Sequence, residues 1–158
     1  HPFYCAVRFN NVKIFEFFFS LYEKFFKNDE ILYLKDEDGN NFLHIAAAFA
    51  KSRENFELAW TKIKNLFKEE EKLKSFLLLK GKFGNALLRS ITERNENSFF
   101  FLFEEVYCKF FTLQELIQET DKNGENFVHK LARWGPVLML KFAFEKLKKE
   151  LKSEEFKN

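Results

Sequence analysis

Apolar residues recur along this chain at helical spacing, and the pattern is interrupted by short polar boxes rich in glycine and asparagine. Between Asn55 and Lys68, the residues Phe56, Ala59, Trp60, Ile63, Leu66 and Phe67 fall on one broad helical face. The same reading predicts long helices over Val12 to Phe26, Asn97 to Phe111 and Val137 to Leu151, with shorter helices beginning at Phe42 and Phe127. The expectation is an all-α chain with more than half of its residues in helix and little or no regular strand.

The polar boxes repeat. Asp36 to Ala50, "DEDGNNFLHIAAAFA", aligns without a gap on Asp121 to Gly135, "DKNGENFVHKLARWG". Asp36 meets Asp121, Gly39 meets Gly124, Asn41 meets Asn126, Phe42 meets Phe127 and His44 meets His129. Between them, Gly81 to Asn95 keeps Gly84, Asn85 and the apolar pair Leu87 and Leu88, with Arg89 in the histidine slot. The opening "PFYCAVRFN", Pro2 to Asn10, puts Tyr4 in that slot and Ala6 in the slot of Ala46. Four repeats over residues 1–35, 36–80, 81–120 and 121–158 are expected, as one domain. The chemistry of the box is local. Asp-x-x-Gly supplies a tight turn, because glycine takes positive φ and the aspartate bonds the backbone two residues on. Asn41 and Asn126 then cap the helices that follow, and Ala46, Ala47 and Ala48 allow close approach. A helix pair of this kind cannot bury its own apolar face, so neighbours must stack.

These units resemble the ankyrin repeat, whose box runs Asp, two variable residues, Gly, one variable residue, Thr-Pro-Leu-His, one variable residue and Ala-Ala. "DEDGNNFLHIAA" and "DKNGENFVHKLA" carry it, with Asn41 and Asn126 for threonine and Phe42 and Phe127 for proline, while the first unit keeps Pro2. The histidine slots lie 40, 45 and 40 residues apart, against about 33 in an ordinary ankyrin repeat. HEAT-type helical repeats have such a period but lack the Asp-Gly box. The resemblance implies a solenoid of about four helix-turn-helix repeats with lengthened second helices. It also implies that His44 and His129 are structural imidazoles, bonded between the turn and the helix starts of adjacent units. Partners of ankyrin arrays lie in a concave groove. Carried over slot by slot, its helix-end residues are Arg8 and Phe9, Ala48 and Phe49, Glu93 and Arg94, and Arg133 and Trp134. Its turn tips are Asp38, Asn40, Phe83 and Asn123.

Composition narrows the function. With 24 phenylalanines against 5 glycines and 2 prolines, neither disorder nor a turn-rich β fold fits. The 26 basic residues nearly balance 24 acidic ones, so no strong field draws the chain to nucleic acid or an anionic membrane. The phenylalanine-rich runs at Phe15 to Phe26 and Ser98 to Phe111 contain Glu and Lys and are too short to span a membrane. Cys5 and Cys108 form no metal or redox spacing, which suits a reducing, cytoplasmic location. No catalytic or phosphate-binding motif is present, and "KEEEKLK" (Lys68 to Lys74) and Glu145 to Glu155 read as solvated helix faces. The abrupt start reads as a fragment of a longer protein, a monomer or part of a larger chain. The expected function is a protein-protein interaction module with no cofactor and no metal. The alternative is a structural repeat segment of a larger ankyrin protein, such as the cytosolic repeats of an ion channel, with no ligand of its own.

Overall fold

The computed structural model describes Cys5, residues 12–25 and residues 30–155. The box at residues 2–10, with Arg8 and Phe9, lies outside them. Helix makes up 72% of the structure, and no strand occurs among the described residues.

Each polar box forms the turn its chemistry dictates. Asp36 Oδ1 accepts the backbone N–H of Asp38 (3.0 Å) and of Asn40 (2.8 Å), and Gly39 sits at φ 75°. Asp121 repeats this with Asn123 (2.8 Å) and Glu125 (3.0 Å), and Gly124 has φ 77°. The third box lacks the aspartate, yet Gly81 and Gly84 exchange two backbone bonds of 3.0 and 3.3 Å, with Gly84 at φ 97°. An asparagine then starts a helix in all three. The side chains of Asn41, Asn85 and Asn126 accept the N–H of His44 (3.2 Å), Leu88 (3.1 Å) and His129 (3.1 Å).

The elements run as α1 (Val12–Phe25), a 3-10 turn (Glu30–Tyr33), α2 (Phe42–Phe49), α3 (Arg53–Leu66), α4 (Glu70–Leu77) and α5 (Ala86–Thr92). Then α6 begins as Glu96–Phe101, passes through a π-helical segment Leu102–Tyr107 and ends in Cys108–Phe110. It is followed by α7 (Leu113–Gln118), α8 (Phe127–Trp134) and α9 (Val137–Glu155). The short helices α2, α5 and α8 lie side by side in chain order, with α3 packed on α6 and α9 against α6. Their alanines and leucines make the contact: Ala46, Ala47, Ala86, Leu87 and Leu131 are buried. Beside them runs a phenylalanine seam in which the rings of Phe99 and Phe103 stack at 5.5 Å and Phe103 meets Phe127 at 5.6 Å.

The long period is not absorbed by the second helices alone. A short third helix follows each of two of them, α4 after α3 and α7 after α6. The charged stretch Lys68 to Lys74 thus opens a helix whose Leu73, Phe76 and Leu77 are buried while Glu69, Glu70 and Glu71 face solvent. Tyr107, fully buried, donates its hydroxyl to the carbonyl of Leu77 (2.7 Å) and so pins the end of α4 to α6. Burial pushes that phenol above its ordinary range, keeping it a donor.

Candidate functional site

Where α2 ends at Phe49 and α5 ends at Thr92, the two following loops face each other across an open groove of about 870 Å³. Ala48 to Lys51 line one side and Glu93 to Asn97 the other. The second wall is built by the way α5 stops. Arg94 takes φ 56°, and the N–H groups of Arg94 and Asn95 return to the carbonyls of Ile91 (3.0 Å) and Ser90 (2.9 Å). This is a Schellman ending with arginine where glycine is usual. It turns the guanidinium-bearing residue out to solvent at the groove.

Asparagines join the walls. Asn95 Nδ2 donates to the carbonyls of Ala48 (3.2 Å) and Ala50 (2.9 Å), while its Oδ1 caps α6 at Ser98 N (3.2 Å). Asn97 Nδ2 reaches the carbonyl of Lys51 at 3.0 Å. Neither residue stands out in a search for binding chemistry. The legible signal was Asn95-x-x-Ser98, a cap pattern at the head of a helix.

The structure divides the groove residues expected from sequence into two places. Phe49 and Arg94 line opposite walls of the groove. Trp134 stands 39% exposed at the equivalent end of α8, with the Arg133 guanidinium 5.2 Å from its ring centroid and bonded to Glu125 (2.7 Å). The turn tips lie at the opposite ends of the same helices, about 12 Å away for an eight-residue helix. There, Asp38 pairs with Lys82 of the next tip at 3.0 Å, and Phe83 lies half-buried 4.4 Å beneath the Arg89 guanidinium. Asn123 is exposed. Asn40 is a correction: it is 2% exposed, its Nδ2 bonds both carboxylate oxygens of Asp36 (3.1 and 3.0 Å), and Gly81 packs against it, so it cannot touch a partner.

The two histidines part company. His44 is buried: Nε2 donates to the carbonyl of Gly84 in the next turn (3.0 Å), and Nδ1 accepts the N–H of Asn41 (3.3 Å). Burial holds its imidazole down at about 4, against the pull of the Gly84 carbonyl, so it stays neutral. His129 closes the same capping box through Nδ1, but it is exposed, and no described residue meets its Nε2. The bridging role expected for it is therefore not made here. Its neighbour Lys130 is buried instead, 2.8 Å from Asp121 Oδ2. Burial opposes ionisation of Asp121, but this ammonium and the N–H groups of Glu125 and Asn123 hold its carboxyl below the ordinary range.

Among the described residues, no three His, Cys, Asp or Glu side chains gather to hold a metal, and no helix is long and apolar enough to cross a membrane. Burial raises the Cys108 thiol to about 11, which leaves it protonated and unreactive. No protein-family model, no curated protein and no solved structure matches the chain.

Proposed function

We propose that this chain is a protein-binding module, an ankyrin-like solenoid of about four repeats that holds a segment of a partner protein along the ends of α2, α5 and α8. The groove carries this reading. It places an aromatic ring and an outward arginine on facing walls, with Trp134 at the equivalent end of the next helix, and these are the residue types that dominate binding hot spots. Lys51 and Arg94 alternate there with Glu93 and Glu96, which suits a mixed-charge peptide with an apolar anchor rather than a polyanion.

The test uses four single-substitution baits and a lysate, followed by calorimetry on the protein captured. Trp134→Ala is expected to lower affinity by about 2 kcal/mol or more while changing stability by less than about 1 kcal/mol. Phe49→Ala acts in the same direction and more weakly. Arg94→Gly puts glycine at a left-handed position, so stability holds or rises by about 0.5–1 kcal/mol while binding weakens. Lys149→Ala, exposed on α9, leaves both unchanged. Equal capture by Trp134→Ala and Lys149→Ala would sink the groove as the binding site.

A further inference from the structure

The long helices α1, α3, α6 and α9 present two faces each, and the inner pairs show what each face is for. Aligned on their first residues, Phe56 of α3 corresponds to Phe99 of α6 and Leu140 of α9. Trp60 likewise corresponds to Phe103 and Phe144. These slots form the rear face, which receives the next helix pair, and in α3 and α6 they are buried. The front face enters the preceding pair. Its central slot holds Phe101 in α6, whose ring lies 5.5 Å from Phe56. In α9 it holds Phe142, whose ring lies 5.0 Å from Phe100 and 6.1 Å from Phe103 of the preceding pair. The slot one turn on from this knob also faces backward, since Lys62 lies over Phe19 at 5.7 Å and Lys146 bonds Glu104 at 2.7 Å.

In the first and last of the described long helices, the knob slot of α1 and one rear slot of α9 stay apolar and exposed. Phe17 occupies the knob slot of α1 and is 62% exposed, whereas Phe101 is 7% exposed. The following front slot of α1 holds Leu21, apolar where the inner helices carry charge. On the other end, Phe144 occupies the rear slot of α9 and is 45% exposed, whereas Trp60 is 7% exposed and Phe103 is fully buried. In α8, the exposed His129 occupies the slot from which His44 donates to the carbonyl of the following turn.

We propose that a second copy of this chain covers these faces, with the front of α1 (exposed Phe17 beside half-buried Leu21) seated on the rear of α9 (exposed Phe144 between half-buried Leu140 and Leu147). Knob and socket belong to the same chain, and each is what the inner pairs use to hold one another. Such a contact is head-to-tail and does not close on itself at two copies, so association is open-ended. It goes beyond the groove, which faces a different partner and uses none of these residues.

Sedimentation equilibrium on the full chain tests it. The weight-average mass is expected to rise from 19.1 kDa at about 1 µM to beyond two copies by about 200 µM, as a weak interface would give. Phe17→Glu and Phe144→Glu should each hold the protein at the monomer mass, with unchanged far-UV helix signal because both rings are exposed. An equimolar mixture should form two-copy complexes and nothing longer, because one variant keeps the socket and the other keeps the knob. Phe144→Lys substitutes for Phe144→Glu if that variant loses its helix signal. A wild type that stays at monomer mass at every concentration overturns the proposal, as does association that survives both variants or a mixture that stays monomeric.

Discussion

His44 is a buried polar ring, and its worth lies in the two bonds it makes at once, to the Gly84 carbonyl and from the Asn41 N–H. Replacing it with alanine leaves the Asn41 N–H without this partner and takes from the Gly84 carbonyl one of its two donors, the Gly81 N–H remaining, and should cost about 1–3 kcal/mol by urea titration. His129→Ala loses only the bond within its own cap and should cost less than about 1 kcal/mol. The pH dependence has a definite sign. The folded-state value of about 4 lies below the ordinary 6.5, so the unfolded chain binds the extra proton. Stability is therefore complete above about pH 6.5 and falls as pH drops toward 4, by about 3 kcal/mol in all for this group. His44→Ala should lack that slope, so the gap between wild type and variant narrows from pH 7 to pH 5. A gap constant with pH would mean that the ring charges freely in the folded state.

At the scale of elements, legibility followed distance along the chain. The turns and the caps at Asn41 and Asn126 were readable because each rests on groups within five residues of one another. The helix α4 was not, because the stretch read as a solvated helix face, Lys68 to Lys74, holds a single apolar residue, Leu73, and stops short of the buried Phe76 and Leu77. What orders it comes from Tyr107, 30 residues downstream. Asn40 misled for the same reason, since Gly81, from the next turn, is what buries it. The split between groove and turn tips also escaped the sequence, which shows the slots but not that an eight-residue helix separates them. Tyr107→Phe isolates one such long-range link. It keeps the ring and removes the donor, leaving the Leu77 carbonyl buried without it, and should cost about 1–3 kcal/mol with no change in helix content. A neutral result by thermal melting would show that the carbonyl finds another donor.

Across the whole molecule, the seams between helix pairs are crossed by hydrogen bonds at both ends and by rings in the middle. His44 to Gly84, Asn95 to Ala48 and Ala50, and Lys146 to Glu104 each tie one pair to another. Unfolding should therefore be a single cooperative event. Trp60 in α3 and Trp134 in α8 are the two tryptophans, so Trp60→Phe and Trp134→Phe leave one reporter each. Their urea midpoints are expected to coincide with each other and with far-UV circular dichroism. An earlier midpoint for the Trp134 reporter would mean that the last pair detaches alone. A chelator should leave the melting temperature unchanged, because among the described residues no three His, Cys, Asp or Glu side chains gather to hold a metal ion.

The π-helical segment Leu102–Tyr107 carries a consequence for where α6 aims its last turn. A π turn holds about one residue more than an α turn, so Tyr107 stops short, by roughly 100°, of where an unbroken α-helix of the same residues would carry it. On that face its hydroxyl meets the Leu77 carbonyl at 2.7 Å. The wide turn and the anchor of α4 therefore stand or fall together, because a change that returned the segment to α geometry would swing the ring away from Leu77.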